Sequence, residues 1–125
     1  MTDGEPGFNG LVGLVEEDVA DGRARIALVA SDRHFNPAGT VHGGALATLI
    51  DVAMGRAVAS LIADDELPVT IEMKVNYFEP GEPGEIVAEA EVSRRGRLFT
   101  VVRAQVTQRE GGESLAEAIG TFTSR

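Results

Sequence analysis

The chain has 125 residues, 43% of them hydrophobic, no cysteine and a formal net charge of −9. That length suits one domain (1–125) with a real core and leaves no room for a second. The absence of cysteine excludes a disulfide framework, a thiolate metal site and a cysteine nucleophile, while the acidity argues against nucleic acid or an anionic membrane as partner.

Only two histidines are present, His34 and His42, and their spacing of eight does not favour zinc. No metal and no cofactor are expected. No secretory segment precedes the first polar residues and no apolar run reaches spanning length, which reads as a cytoplasmic protein. One lysine stands against ten arginines. GC-rich codon usage explains that bias, and so does an acidic surface adapted to high salt.

Residues 1–7 carry Gly, Asp and Pro and are expected to fray. Leu11 to Val19 and Arg23 to Ala30 alternate around Ala20-Asp21-Gly22, the pattern of a hairpin. Ser31 to Gly39 reads as a polar loop containing Asn36-Pro37. From His42 to about Ile62 the period becomes helical and stops at Asp64-Asp65. Four further strands follow, at Val69 to Phe78, Ile86 to Ser93, Leu98 to Gln108 and Leu115 to Thr123, separated by Pro80-Gly81, Arg95-Gly96 and Gly111-Gly112. The order is two strands, one long helix and four strands.

On that helix Leu46, Leu49, Ile50, Ala53, Met54, Ala57 and Leu61 share an apolar face. Asp51 lies on the opposite stripe with Gly44, Ala47, Thr48 and Gly55. A solvated stripe would carry Lys, Glu or Arg, so small residues around one acid imply close approach by substrate or by a second subunit. Asp51 has no Lys or Arg three or four residues away to pair with. It reads as a nucleophile, a general base or a salt-bridge member elsewhere.

Gly43 and Gly44 open the helix, where the first N–H groups lack intrahelical partners. They offer an oxyanion hole for an acyl carbonyl, or a flexible helix start with water on the amides. His42 is either a structural hydrogen-bonder or a base. The Asn36 amide either stabilises its own turn or reaches a carbonyl oxygen. Arg94, Arg95 and Arg97 around Gly96 are a basic cluster in an acidic chain, either solvated or matched to phosphates.

Spacing then constrains the site. Gly43 and Asp51 are eight residues apart, which puts their backbones about 12 Å apart along a helix axis. A base and an oxyanion donor must both lie within about 3 Å of the reacting atoms. One helix therefore does not build the whole site. Two antiparallel copies across a two-fold axis do, which predicts an obligate homodimer with two composite sites.

These residues resemble a known pattern. N-x-x-G-x-x-H-G-G, followed by an acid eight residues after the first Gly of the pair, is similar to the PaaI-type hotdog-fold acyl-CoA thioesterases; here it reads Asn36, Gly39, His42, Gly43, Gly44, Asp51. The likeness extends through V-T-I-E-M-K-V-N-Y-F-E-P, R-R-G-R and A-E-A-I-G-T-F. It implies an α+β hotdog fold, one long central helix wrapped by a roughly six-stranded antiparallel sheet, and homodimers with active sites between the subunits; homotetramers built from such dimers also occur in this fold. It further implies that Gly43 N–H and Asn36 polarise the thioester carbonyl, with Asp51 of the second subunit directing water or attacking directly. His42 would position the thioester or the leaving thiol, Thr70 would orient the water, and the arginines near Gly96 would meet the phosphates of coenzyme A. Part of the wider family carries Glu at the acid position, which leaves nucleophile and base both open for Asp51.

The expected reaction is hydrolysis of an aromatic or medium-chain acyl-CoA, with coenzyme A as part of the substrate. Two other classes compete with it. A hotdog hydratase or dehydratase pairs its His and acid in other motifs, and a non-catalytic acyl-CoA sensor would have no need of Asp51.

Overall fold

The computed structural model describes residues 7–125. Residues 1–6 of the segment expected to fray lie outside the described residues. A short helix α1 (Phe8–Val12) is followed by strands β1 (Leu14–Ala20) and β2 (Arg23–Ala30), a 3-10 turn at Asp32–His34 and the long helix α2 (Gly43–Ala59). Strands β3 (Pro68–Tyr77), β4 (Gly84–Arg95), β5 (Thr100–Gln108) and β6 (Ser114–Ser124) complete the chain. They form one antiparallel sheet in the order β1-β2-β4-β5-β6-β3.

The first hairpin closes on Asp21 and Gly22, both at positive φ (53° and 79°). That is the pairing a two-residue Asp-Gly turn needs to match strand twist. Ser60 caps the end of α2 and ties it to this turn: its Oγ donates to the Ala57 carbonyl (2.7 Å) and accepts from Gly22 N–H (2.8 Å).

Three boundaries differ from the sequence reading. The first strand starts at Leu14, not Leu11, because Phe8–Val12 forms a helical turn closed by Gly13 in the left-handed region. The helix stops at Ala59, so Leu61 lies beyond it, half-buried, rather than on its apolar face. Leu98 and Phe99 belong to the β4–β5 turn, which is closed by a Gly96 N–H to Phe99 carbonyl bond of 2.8 Å. A Cβ on Gly96 would come within 2.6 Å of that same carbonyl oxygen, so this turn needs glycine.

Leu46, Leu49, Ile50, Ala53, Met54, Ala57 and Val58 are buried on α2, and the helix touches all six strands. Alternate residues of the sheet supply the other half of the core, among them Ile26, Leu28, Ile86, Val102 and Phe122. This is the helix-in-sheet arrangement of the hotdog fold. Phe122 is 1% exposed at its centre. Phe122→Ala is expected to lower unfolding free energy by about 3–5 kcal/mol, from lost transfer energy plus the cavity left behind; chemical denaturation checks it. No helix among the described residues is long and apolar enough to cross a membrane.

Candidate active site

The loop entering α2 is organised by side chains. Asn36 Oδ1 accepts from the N–H groups of Ala38 (3.0 Å) and Thr40 (3.2 Å), and Asn36 Nδ2 donates to Thr40 Oγ1 (2.9 Å). The oxygen is thus committed to the turn, while the amide nitrogen keeps one hydrogen for another acceptor. Buried His34 holds the loop from beneath: Nδ1 accepts from Ser31 N–H (3.1 Å) and Nε2–H donates to the Val12 carbonyl (2.7 Å). Its own carbonyl accepts from His42 N–H at 2.7 Å.

His42 is the N-cap of α2, with Nδ1 accepting from Gly44 N–H at 2.7 Å. An accepting Nδ1 puts the proton of the neutral ring on Nε2. The geometry therefore gives His42 a capping role and occupies the second of the two glycine amides. Gly43 N–H remains free, with no acceptor among the described residues. Gly43 lines a groove of about 310 Å³ together with Asn36, Leu46, Tyr77 and Phe78. Asn36 and Gly43 thus meet at one groove.

Asp51 lies two turns further along α2, half-buried, and its Oδ1 accepts from Thr70 Oγ1 at 2.7 Å. The contact depends on a bulge. Thr70 pairs with Phe122 and Glu72 with Thr121, which leaves Ile71 as the extra residue in β3. Without it, Thr70 and Tyr77, an odd number of residues apart, would face opposite sides of the sheet. With it, Thr70, Met73, Val75 and Tyr77 all face the helix. Asp51 has no cationic partner among the described residues.

The arginines divide. Arg95 and Arg97 line a groove of about 190 Å³ with Val58, Ile62 and Leu98 at the C-terminal end of α2. Arg94, adjacent to Arg95 in β4, projects to the other face of the sheet. None of the three has an ion-pair partner among the described residues. Val58 is fifteen residues from Gly43, about 22 Å along the helix. Within one chain the arginines and the Asn36–Gly43 groove are therefore at opposite ends.

Tyr77 carries no assignment from sequence. Its hydroxyl donates to the Gly43 carbonyl at 2.9 Å, and its ring lies against Gly43. Burial pushes the phenol above its ordinary value near 10, so it stays a donor through neutral pH. The one available signal was that it is the sole tyrosine of the chain. Among the described residues no group of three or more His, Asp or Glu side chains is placed to hold a metal ion.

Comparison with known proteins bears on the family and the fold. The family model described as the thioesterase superfamily matches residues 38–115. Acyl-coenzyme A thioesterase 13 of Homo sapiens is 30% identical over 100 residues, 78% of this chain and 70% of that protein. The solved structure of a conserved protein from Pseudomonas aeruginosa superposes with a TM-score of 0.91 at 37% identity, covering 97% of this chain and 95% of that one. A mutant of the phenylacetic acid degradation protein PaaI from Thermus thermophilus gives a TM-score of 0.84 at 27% identity, covering 92% and 96%. With a helix inside an antiparallel sheet and a matched segment that runs from the Asn36 loop's end through Asp51 and Thr70, the chain belongs to the PaaI-like thioesterase superfamily of hotdog-fold thioester hydrolases.

Proposed function

We propose that the chain hydrolyses an acyl-CoA thioester to a carboxylic acid and free CoA, in a site completed by a second copy of itself. The free Gly43 N–H, beside the Asn36 amide at a helix N-terminus, is the observation that carries this reading. Both donors would polarise the thioester carbonyl. Asp51 of the second copy would take a proton from water, held in orientation by its hydrogen bond from Thr70. The resulting hydroxide adds to the carbonyl carbon, and the tetrahedral intermediate collapses with loss of the CoA thiolate, which takes up a proton.

Three features support a second copy. Among the described residues strand β3 pairs only with β6 and so leaves one edge free, and native proteins seldom leave a long apolar edge uncovered. Leu67, Ile71 and Phe78 are each at least half exposed along it. On the helix, a Cβ at Gly43 or Gly55 would make only ordinary contacts within this chain, so its own packing does not demand glycine there.

Antiparallel helices that bring Gly43 opposite the second copy's Asp51 also move the arginines. The second copy's Arg95 and Arg97 then lie about 10 Å beyond Gly43, against about 22 Å for the chain's own pair. The subunit that supplies the acid would therefore supply the phosphate contacts. Leu46, Tyr77 and Phe78 give the groove an apolar wall suited to an aromatic or medium-chain acyl group, and the PaaI neighbour is by name a phenylacetic acid degradation protein.

Thiol release from a panel of aromatic, medium-chain and short acyl-CoA esters tests the reading, with the first two classes expected to turn over fastest. Turnover no faster than spontaneous hydrolysis for every ester would sink it. Arg95→Glu with Arg97→Glu is expected to raise KM for CoA esters about tenfold, from lost charge-assisted contacts. Esters of N-acetylcysteamine, which lack phosphates, should change little.

A further inference from the structure

We propose that Tyr77 is a positioning residue for hydrolysis, gripping the Gly43–Gly44 peptide so that Gly43 N–H stays aimed into the groove. The inference rests on Gly43 N–H being the carbonyl donor. Two successive glycines at a helix start have more backbone freedom than any other pair, and the first turn of a helix lacks the bonds that hold later turns. The peptide that carries Gly43 N–H is anchored at its other end, where the His42 carbonyl accepts from Ala45 N–H (2.9 Å) and Leu46 N–H (3.3 Å), so the Gly43 torsions that join it to the next peptide are what a further grip holds.

The structure supplies two grips on one planar unit. The Gly43 carbonyl accepts from Tyr77 Oη at 2.9 Å. The Gly44 N–H at the other side of the same peptide donates to His42 Nδ1 at 2.7 Å. Because the peptide is rigid and planar, holding both of its polar atoms fixes the plane and the two soft torsions that join it to its neighbours. Gly43 N–H is attached to the Cα that borders this plane. The Tyr77 ring also packs beside Gly43, 3.5–3.6 Å from where a Gly43 Cβ would sit. The two grips come from different places, one from the N-cap itself and one from an edge strand 34 residues away.

A raised phenol keeps this donor protonated across the range in which a carboxylate base works. Tyr77 also forms part of the groove wall, so packing and hydrogen bonding must be separated. Tyr77→Phe keeps the ring and removes only the hydroxyl, whereas Tyr77→Leu removes both.

The experiment measures kcat and KM of both variants on the best thioester of the panel, and hydrogen exchange at the Gly44 amide by NMR. Losing an oxyanion donor outright slows catalysis by two to three orders of magnitude, so misaiming one is expected to lower kcat about tenfold. Tyr77→Phe should show that loss with KM within about twofold of the unaltered protein, and about tenfold faster Gly44 exchange. Tyr77→Leu should add a rise in KM. Unchanged kcat in Tyr77→Phe overturns the positioning role, as does unchanged Gly44 exchange. If the unaltered protein turns over no thioester, the functional reading falls by itself, and Gly44 exchange alone then decides whether Tyr77 holds the peptide.

Discussion

Asp51→Asn is expected to slow thioester hydrolysis by about a thousandfold while leaving the fold intact. A positioned general base contributes roughly two to four orders of magnitude, and Asp51 is a half-buried carboxylate with no cationic partner among the described residues. Among the described residues the one side-chain hydrogen bond to it comes from the Thr70 hydroxyl, which donates to Oδ1. Asparagine keeps an oxygen able to accept that bond and a nearly identical shape. The substitution thus removes the ability to take a proton with little else disturbed. Thiol release and a thermal melt check the two halves. Residual turnover above about a tenth of the starting rate would assign the proton transfer elsewhere.

The second large effect is recovery of activity from two dead proteins. Gly43→Pro removes the free N–H. It suits the backbone, because proline is favoured at the first helical position and His42 already has the extended ψ of 134° that precedes proline well. The new Cβ would meet the Tyr77 ring at ordinary contact distance. Gly43→Pro and Asp51→Asn should each be inactive alone. Mixed in equal amounts after unfolding and refolding together, they should regain about a quarter of wild-type activity. Half of the dimers are then mixed, and each mixed dimer holds one site with both native residues. A site built within one chain predicts no recovery, so proven subunit exchange without activity would overturn the composite arrangement. The roughly 12 Å between the two positions on one helix makes recovery the expected result.

Much of the fold was legible because its signals are local. The apolar face of α2 repeats every three or four residues, and the strands alternate every two, so both can be read from neighbours in the chain. The Asp-Gly turn announces itself by residue type, since few other pairs accept two positive φ values. The misplaced start of β1 has the same kind of cause. Phe8–Val12 is too short for periodicity to register, and it took Gly13 in the left-handed region to end it and release the strand at Leu14.

The candidate site was legible in a different way. Asn36, His42, Gly43 and Asp51 stand out because amide, imidazole, glycine and acid are each unusual in that pattern, and residue type alone singles them out. How they are used is another matter. His42, exposed at the surface, turns its Nδ1 onto its own helix as a cap. Arg94 parts from Arg95 and Arg97 because adjacent strand residues face opposite sides.

By itself the sequence determined the order of elements, the central helix with its buried face, the candidate acid and glycine donor, and the spacing that keeps them from meeting in one chain. These follow from contacts between residues a few positions apart. Only the tertiary structure decided that the Ile71 bulge brings Thr70 onto Asp51, 19 residues away, and Tyr77 onto Gly43, 34 residues away. Such contacts are set by strand register and by which face of a strand meets the helix. One inserted residue reverses that face, and no short-range pattern in the chain records it.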